Sequence, residues 1–245
     1  MWKEWALAFV DLLFPPFCPL CRARLDEGRR DPLCGPCWDG LERLPPPYCR
    51  TCGRPFPAFE GGRPVEGFPC EPCRRRRPPF GYARAAAVYG ERVREAVHAL
   101  KFKGKTALAR PLGDLLAEAG SAMLAVGAVD CLVPVPLHPS REAERGFNQS
   151  VLLANRVGRR WGVPVEPRAL RRRRPTLSQT DLDAERRRAN VRGAFTLSRS
   201  AAVEGRHVLL IDDVFTTGAT VAECARVLLE AGASAVGVLT LARVP

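Results

Sequence analysis

Two acidic residues and a threonine- and glycine-rich stretch lie close together near the end of this sequence. Four apolar residues, 208–211, lead directly into Asp212 and Asp213, and Thr216-Thr-Gly-Ala-Thr220 follows two residues later. The amides and hydroxyls of such a stretch gather at a helix N-terminus, where they can bind a phosphate, and Gly218 permits close backbone approach. The two carboxylates can accept hydrogen bonds from a pair of ribose hydroxyls. A capped helix start would explain one of these residues but not all of them, so we predict a phosphoribosyl site.

Eight of the ten cysteines form four Cys-x-x-Cys pairs. Two residues between thiolates let a tight turn direct both sulfurs at one ion, and two such turns complete a tetrahedron around zinc. Chain order favours two sites, although an interleaved pairing of the same ligands stays open. The predicted ligands are Cys18, Cys21, Cys34 and Cys37 in the first site, and Cys49, Cys52, Cys70 and Cys73 in the second.

Both zinc ions are predicted to be structural, because protein ligands fill all four positions and leave none for water or substrate. Metal binding would stabilise a small segment whose own apolar surface is insufficient. The other two cysteines, Cys131 and Cys224, occupy apolar patterns and are predicted to be buried core thiols. With no convincing signal peptide and with metal-binding spacing of the cysteines, we expect a cytoplasmic protein.

The cysteine-rich region ends at Cys73, and residues 74–79 are predicted to form a linker. We therefore expect an N-terminal helix and double zinc-ribbon domain over residues 1–78 and a second domain over residues 79–245. The first 14 residues have a short amphipathic pattern, which predicts a helix docked on the protein's own surface. Peripheral contact with a membrane is the alternative, and no stretch is long and apolar enough to span one.

Beyond residue 79 the apolar pattern alternates between strands and helices. Strands are predicted over 83–89, 130–135, 207–211 and 235–242, and helices over 91–101, 106–124, 147–161 and 219–231. Alternating elements with continuously apolar strands predict an α/β fold, with a mainly parallel sheet covered by helices on both faces. Ligands of such folds collect beyond the carboxyl ends of the strands, where the acidic pair lies.

The formal net charge is +12, and nearly all the positive charge is arginine. Arginine runs at 74–77, 171–174 and 186–188 favour an anionic partner such as phosphate, nucleic acid or an acidic membrane, with a solvated basic face as the alternative. Phe80 and Tyr82 lie near the first run and could stack bases, although core packing is the commoner use of aromatic residues. The basic stretch 171–188 is predicted to be a mobile hood over the site.

Two functional classes are disfavoured by motifs that the sequence lacks. There is no Walker A sequence, so the chain is not itself an ATP-driven motor. There is no Gly-x-Ser-x-Gly elbow, which disfavours hydrolase chemistry.

The segment 208–220 resembles the loop of type I phosphoribosyltransferases that binds phosphoribosyl pyrophosphate (PRPP). The resemblance implies that Asp212 and Asp213 hold the ribose hydroxyls as the catalytic acids, and that Mg²⁺ arrives on the pyrophosphate. Cations near the loop could stabilise the departing pyrophosphate. The full predicted PRPP-binding set is Asp212, Asp213, Thr216, Thr217, Gly218, Ala219, Thr220, Lys101, Lys103, Arg141 and Arg145.

Almost the whole chain resembles the ComF family, in which a double zinc ribbon precedes a type I phosphoribosyltransferase domain. The motifs that carry this resemblance, besides the acidic loop, are Phe14-Pro-Pro-Phe-Cys-Pro-Leu-Cys21, Lys101-Phe-Lys-Gly104, Val133-Pro-Val-Pro-Leu-His138, Arg145-Gly-Phe-Asn-Gln149 and Arg186-Arg-Arg-Ala-Asn190. The resemblance implies a role in natural transformation, in which the protein handles incoming single-stranded DNA with a helicase partner.

The favoured hypothesis is therefore a DNA-uptake factor that binds PRPP and single-stranded DNA. An active phosphoribosyltransferase of nucleotide salvage or related metabolism is the alternative, and a scaffold whose ribbons recruit a helicase is a third reading.

Overall fold

A computed structural model describes residues 16–25, 31–56, 67–175, 184–198 and 202–245. The helix predicted for the first 14 residues lies outside the described residues, as do residues 176–183 in the middle of the predicted hood. Within the described residues, no helix combines the length and apolar character needed to cross a membrane.

The described residues form short helices near the cysteines and an α/β unit after them. The helices are α1 Gly35–Asp39, α2 Glu71–Arg75, α3 Glu91–Phe102, α4 Ala109–Met123, α5 Pro139–Arg145, α6 Gln149–Trp161, α7 Ala184–Val191 and α8 Ala219–Glu230. The strands are β1 Tyr82–Val88, β2 Cys131–Pro134, β3 Leu170–Arg172, β4 Phe195–Leu197, β5 His207–Phe215 and β6 Ala235–Arg243. Short 3₁₀ turns at Thr106–Leu108 and Val126–Ala128 precede α4 and β2.

The main sheet has the strand order β1-β6-β5-β2, and all of its pairings are parallel. Strand β5 pairs with β2 on one side and with β6 on the other. It is therefore a central strand, and its carboxyl end has a neighbouring strand on each side. Strand β5 is longer than predicted, because it continues from residue 211 to Phe215 and includes the acidic pair. The predicted parallel sheet is confirmed.

Successive residues of the strands enter two separate hydrophobic cores. Leu209 and Ile211 pack with α3, α4 and α6, whereas Val208 and Leu210 pack with α8 and the β3–β4 hairpin. This alternation follows from the period of a strand, in which neighbouring side chains point to opposite faces. The sheet is therefore covered on both faces, as the continuously apolar strands predicted.

The cysteine-rich segment contributes to both cores. Cys18, Cys34 and Cys37 belong to the core on the α3 side of the sheet, and Cys49, Cys52 and Cys70 belong to the core on the α8 side. The segment also follows β1, because the backbone N–H of Leu44 donates to Ala86 and that of Ala83 donates to Thr51. The predicted linker at 74–79 is partly helical, since α2 includes its first two arginines.

Three described elements of the α/β unit have no counterpart in the sequence prediction: the β3–β4 hairpin, α5 and α7. The hairpin is antiparallel and separate from the main sheet, and each of its strands has only three residues. Helix α5 begins at a proline, and the His138 side chain accepts a hydrogen bond from the Ser140 amide at its N-terminus. The predicted mobile hood therefore starts in β3 and ends in α7.

Candidate functional site

Asp213 lies near the end of β5, where only 4% of the residue is exposed. The Lys101 ammonium at the end of α3 forms an ion pair with its Oδ2 atom. The Gln149 amide at the start of α6 donates to its Oδ1 atom over 3.4 Å. Burial would raise the pKa of Asp213, but Lys101 outweighs that effect and holds the pKa below its ordinary value.

Asp212 is half-buried, and its side chain is more exposed than that of Asp213. The Ser150 hydroxyl donates to its Oδ1 atom over 2.9 Å, and the Asp213 amide donates to the same atom over 3.0 Å. Desolvation, followed by repulsion from Asp213, raises the pKa of Asp212 to about 7. The pKa values of the two neighbouring carboxyls therefore differ, because Lys101 forms its ion pair with Asp213 and not with Asp212.

The loop after the acids turns sharply at Gly218 before α8 begins. Gly218 has a φ of +77°, and a Cβ atom there would lie 2.5 Å from the Phe215 ring, so the position requires glycine for two separate reasons. Thr217 is exposed, and its Oγ1 accepts from the Ala219 amide over 3.4 Å. Thr216 and Thr220 are half-buried on either side. Helix N-terminal amides lack partners within their own helix, so this turn offers donors to an anion.

The predicted cations take up different positions around the acids. Lys101 is mostly buried and in direct contact with Asp213, whereas Lys103 is exposed just beyond the end of α3. Arg145 donates to the Gln149 side chain, and its guanidinium lies 5.2 Å from the centre of the Phe102 ring. Arg141 is exposed on α5, close enough to act electrostatically on Arg145. The structure therefore places Lys101 and Arg145 beside the acids and the other two cations at the rim.

The N-terminus of α6 contributes three residues that the sequence analysis did not assign to the site: Asn148, Gln149 and Ser150. The Asn148 side chain accepts from the Ser150 amide over 2.9 Å and donates to the Val135 carbonyl over 3.1 Å. These bonds hold Ser150 and Gln149 against the acids. Two of the three belong to the Arg145-Gly-Phe-Asn-Gln149 motif, but nothing in their local spacing indicated contact with β5.

A cavity of about 990 Å³ lies between the loop after β2, the start of α6 and the β3–β4 hairpin. Its lining includes Arg168, Arg171, Arg172, Arg173, Asn148 and Ser198. The acidic residue in this lining is Glu142. The two acids do not line it, but Asn148 does, and the next two residues, Gln149 and Ser150, contact the acids, so the cavity lies close to the acidic pair. The Arg172 guanidinium lies 5.3 Å from the centre of the Phe195 ring. A cavity with this lining is suited to an anionic molecule.

Of the two aromatic residues proposed to stack bases, Phe80 is a core residue and Tyr82 is partly buried against the core. Phe80 is 3% exposed and packs edge-on against Phe215, with 6.1 Å between the ring centres. Tyr82 packs against His207, and its hydroxyl lies 3.2 Å from Nε2 of that ring. By contrast, Phe102 is 65% exposed and lies between Lys101 and Lys103. The exposed aromatic residue of the site is therefore Phe102.

The eight paired cysteines form two groups in chain order, Cys18, Cys21, Cys34 and Cys37 in one and Cys49, Cys52, Cys70 and Cys73 in the other. All sulfurs of a group lie within 4.8 Å of one another, and two of the separations are 3.5 Å and 3.6 Å. Tetrahedral zinc with Zn–S bonds of about 2.3 Å places its sulfurs about 3.8 Å apart. Both groups therefore fit zinc, and the sequential pairing replaces the interleaved alternative.

Cys131 and Cys224 lie apart from these groups and are completely buried in the core. Burial raises the pKa of both thiols above the ordinary value. This agrees with the prediction that they are packing residues, because a protonated, buried thiol is a poor nucleophile.

Comparison with known proteins finds matches over both parts of the chain. Residues 9–74 match the family described as Double zinc ribbon domain, and residues 148–245 match the Phosphoribosyl transferase domain. The chain is 36% identical over 235 residues to the DNA utilization protein YhgH of Escherichia coli K12, with 95% of this chain and 99% of that protein covered. It is 29% identical to Competence protein F of Haemophilus influenzae, covering 92% and 96% of the two chains, and 30% identical to Competence protein ComFC of Bacillus subtilis, covering 86% and 84%.

A solved structure shares a smaller part of the fold. The glutamine PRPP amidotransferase from B. subtilis is 27% identical to this chain, with a TM-score of 0.36 over 53% of this chain and 25% of that one. Because this structural match covers only about half of the chain, the family assignment depends on the sequence matches.

We expect about two zinc ions per chain, because each of the two cysteine groups can complete one tetrahedral site. Cys21→Ser should lower the content to about one ion, since this exposed ligand belongs to the first group alone. Cys224→Ala, which removes a thiol outside both groups, should leave the content unchanged. Elemental analysis of purified protein measures the ratio, and a folded chain without metal would contradict the assignment.

The raised pKa of Asp212 predicts that this residue destabilises the folded chain near neutral pH. Its pKa is about 7 when folded, against an ordinary value of 3.8, so stability is lost as pH rises between these values. We expect Asp212→Asn to raise the melting temperature by about 3 °C or more at pH 8, with a smaller gain at pH 5.5. Thermal unfolding followed by circular dichroism measures both.

The neighbouring substitution supplies the control. Asp213→Asn should lower the melting temperature at pH 8, because it removes the carboxylate partner of Lys101. Equal changes in melting temperature for the two substitutions, or a lower melting temperature for Asp212→Asn at pH 8, would contradict the predicted difference between the pKa values of the two acids.

Proposed function

The chain belongs to the ComF family, in which a double zinc ribbon precedes a phosphoribosyltransferase domain, and on this premise we propose that it is a DNA-uptake factor that binds PRPP and single-stranded DNA. Relatives named as competence and DNA utilization proteins support this role, since the alignment with YhgH spans 95% of this chain. A cytoplasmic location and a helicase partner belong to the same proposal.

The observation that carries PRPP binding is the meeting of an acidic pair with an anion-binding turn. Asp212 and Asp213 lie near the end of a buried strand, and α8 begins after the Gly218 turn, five residues beyond Asp213. A phosphorylated ribose needs both features, because its hydroxyls donate hydrogen bonds and its phosphate accepts them. Lys101 and Arg145 add positive charge where a pyrophosphate would carry its negative charge.

Each group would have a separate part in binding PRPP. The carboxylates would accept from the ribose hydroxyls, with Ser150 and Gln149 holding them in position. Thr216, Thr217 and Thr220 would surround the 5-phosphate. Mg²⁺ bound to the pyrophosphate would neutralise part of its charge, since this ion keeps several waters and prefers phosphate oxygens to an all-protein cage.

We expect PRPP with Mg²⁺ to raise the melting temperature by about 5 °C at a concentration near 100 times the dissociation constant. The double substitution Asp212→Asn with Asp213→Asn should abolish the increase, because neutral amides cannot replace two carboxylate acceptors. Differential scanning fluorimetry measures the shift. Asp39→Asn, at an exposed carboxylate on α1, is the matched control and should keep the full shift. An intact protein that shows no shift would argue decisively against the site.

Binding of single-stranded DNA is supported by charge and by one exposed ring. The net charge is +12, and Arg168, Arg171 and Arg173 are exposed along the cavity. Phe102 is exposed between Lys103 and Lys101, the lysine that contacts Asp213. Proteins that bind single strands combine basic grooves with aromatic side chains on which bases stack. The exposed arginines and Phe102 would supply these two components.

We expect single-strand affinity to fall steeply with salt, since arginine–phosphate contacts release counterions. Arg171→Gln with Arg173→Gln should make the slope of log affinity against log salt shallower by about 1.4, at about 0.7 for each lost phosphate contact. Arg159→Gln, at an exposed arginine of α6 outside this cavity, should leave the slope unchanged. Fluorescence anisotropy with a labelled oligonucleotide measures it, and a flat salt response would refute arginine-based binding.

An active transferase is the second candidate, favoured by the arginine-lined cavity beside the acids. In that reaction an acceptor nitrogen would form a bond to the anomeric carbon and lose its proton to solvent, and the bond from that carbon to the pyrophosphate oxygen would break. Pyrophosphate would leave with the electron pair. Incubation with PRPP and a panel of bases, with pyrophosphate release as the readout, decides between turnover and binding alone.

A further inference from the structure

A buried arginine separates the second cysteine group from the loop that follows the acidic pair. Arg243 is the last residue of β6, and only 3% of it is exposed. Among the described residues no carboxylate forms an ion pair with it, and its Nε and Nη1 atoms have no hydrogen-bond partner. A buried guanidinium without a carboxylate needs another source of negative charge.

The second cysteine group provides that charge. The Nη2 atom of Arg243 donates to the Cys52 sulfur over 3.5 Å. Cys52 belongs to the same group as Cys49, Cys70 and Cys73, whose sulfurs all lie within 4.8 Å of one another. Four thiolates around one zinc ion leave a net charge of about −2, so an adjacent cation is stabilised when the group is complete.

The guanidinium also contacts the ring of Phe215. The Arg243 Cζ atom lies 4.4 Å from the ring centre, within the range of a cation–π interaction. Phe215 is 4% exposed, and its carbonyl accepts from the Val244 amide over 3.0 Å. A Cβ atom on Gly218 would lie 2.5 Å from the same ring, so the Phe215 ring packs directly against the turn.

From these contacts we propose that Arg243 is a positioning residue that couples the second zinc site to the 216–220 loop. The chain of contacts runs from Cys52 to Arg243, then to Phe215 and Gly218. Loss of zinc from the second group would leave Arg243 buried without its counter-charge, and its displacement would remove the support beneath the loop. The consequence for ligand affinity rests on the proposed PRPP function, but the effect on the loop does not.

The first cysteine group has no equivalent connection among the described residues. The arginine that Cys37 influences is Arg92, which is exposed and paired with Glu95 over 2.9 Å. This group also joins the core on the other face of the sheet. Arg92→Met is therefore a matched control for Arg243→Met, since both remove an arginine near a cysteine group but only one lies beneath the loop.

Three measurements test the coupling. Zinc release to a chromogenic chelator reports the metal site, amide hydrogen exchange of residues 215–221 reports the loop, and calorimetry with PRPP and Mg²⁺ reports affinity. For Arg243→Met we expect about tenfold faster release of one of the two ions, faster exchange of the loop amides and about tenfold weaker PRPP binding. Arg243→Lys should restore most of the zinc retention, because it keeps the charge, whereas Arg92→Met should change neither loop exchange nor PRPP affinity.

The unmodified protein provides a test that needs no substitution. Because coupling is reciprocal, PRPP with Mg²⁺ should slow the release of one zinc ion and not of the other. Removal of zinc from the second group alone should speed exchange of the 215–221 amides. Unchanged loop exchange after that loss, or in Arg243→Met, would overturn the coupling. Absence of PRPP binding to intact protein would instead refute the proposed function. Hydrogen exchange of the loop amides would still test the role of Arg243 in that case.

Discussion

Two adjacent carboxylates at the end of a buried strand impose the main electrostatic constraint on this structure. Neighbouring like charges and desolvation both oppose ionisation, so at least one acid needs a cation and oriented donors. Lys101 meets this need from α3, and Ser150 and Gln149 meet it from α6. The ends of both helices must therefore lie beside the carboxyl end of β5, which the packing of these helices on one face of the sheet ensures.

The metal-binding segment extends the cores of the sheet. Its first cysteine group packs on one face and its second on the other, so the segment passes along the β1 edge between them. Zinc would then stabilise local turns and also the residues packed on each group. The domain boundary near residue 78 stays a prediction, but the shared cores show that the two parts of the chain are packed together.

The success of the sequence predictions followed the strength of the local signal. The apolar patterns correctly indicated strands β1, β2, β5 and β6 and helices α3, α4, α6 and α8, because burial of one face requires a regular period. The β3–β4 hairpin and α7 lie in arginine-rich sequence with little such period, so they were missed. Their stability depends on tertiary contacts, including the burial of Leu170 and Phe195. The acidic pair and its turn were recognised because their residues are contiguous.

Residue type and short spacing by themselves determined that this chain has cysteine pairs spaced for zinc, an acidic pair and a threonine- and glycine-rich turn at a helix start, since each depends on residues a few positions apart. Only the tertiary structure decided which cysteine pairs combine, that Lys101 and Ser150 meet the acids, and that Arg243 lies between Cys52 and Phe215. Such contacts join residues far apart in the chain. They depend on how strands are ordered and faces are packed, which no local pattern specifies.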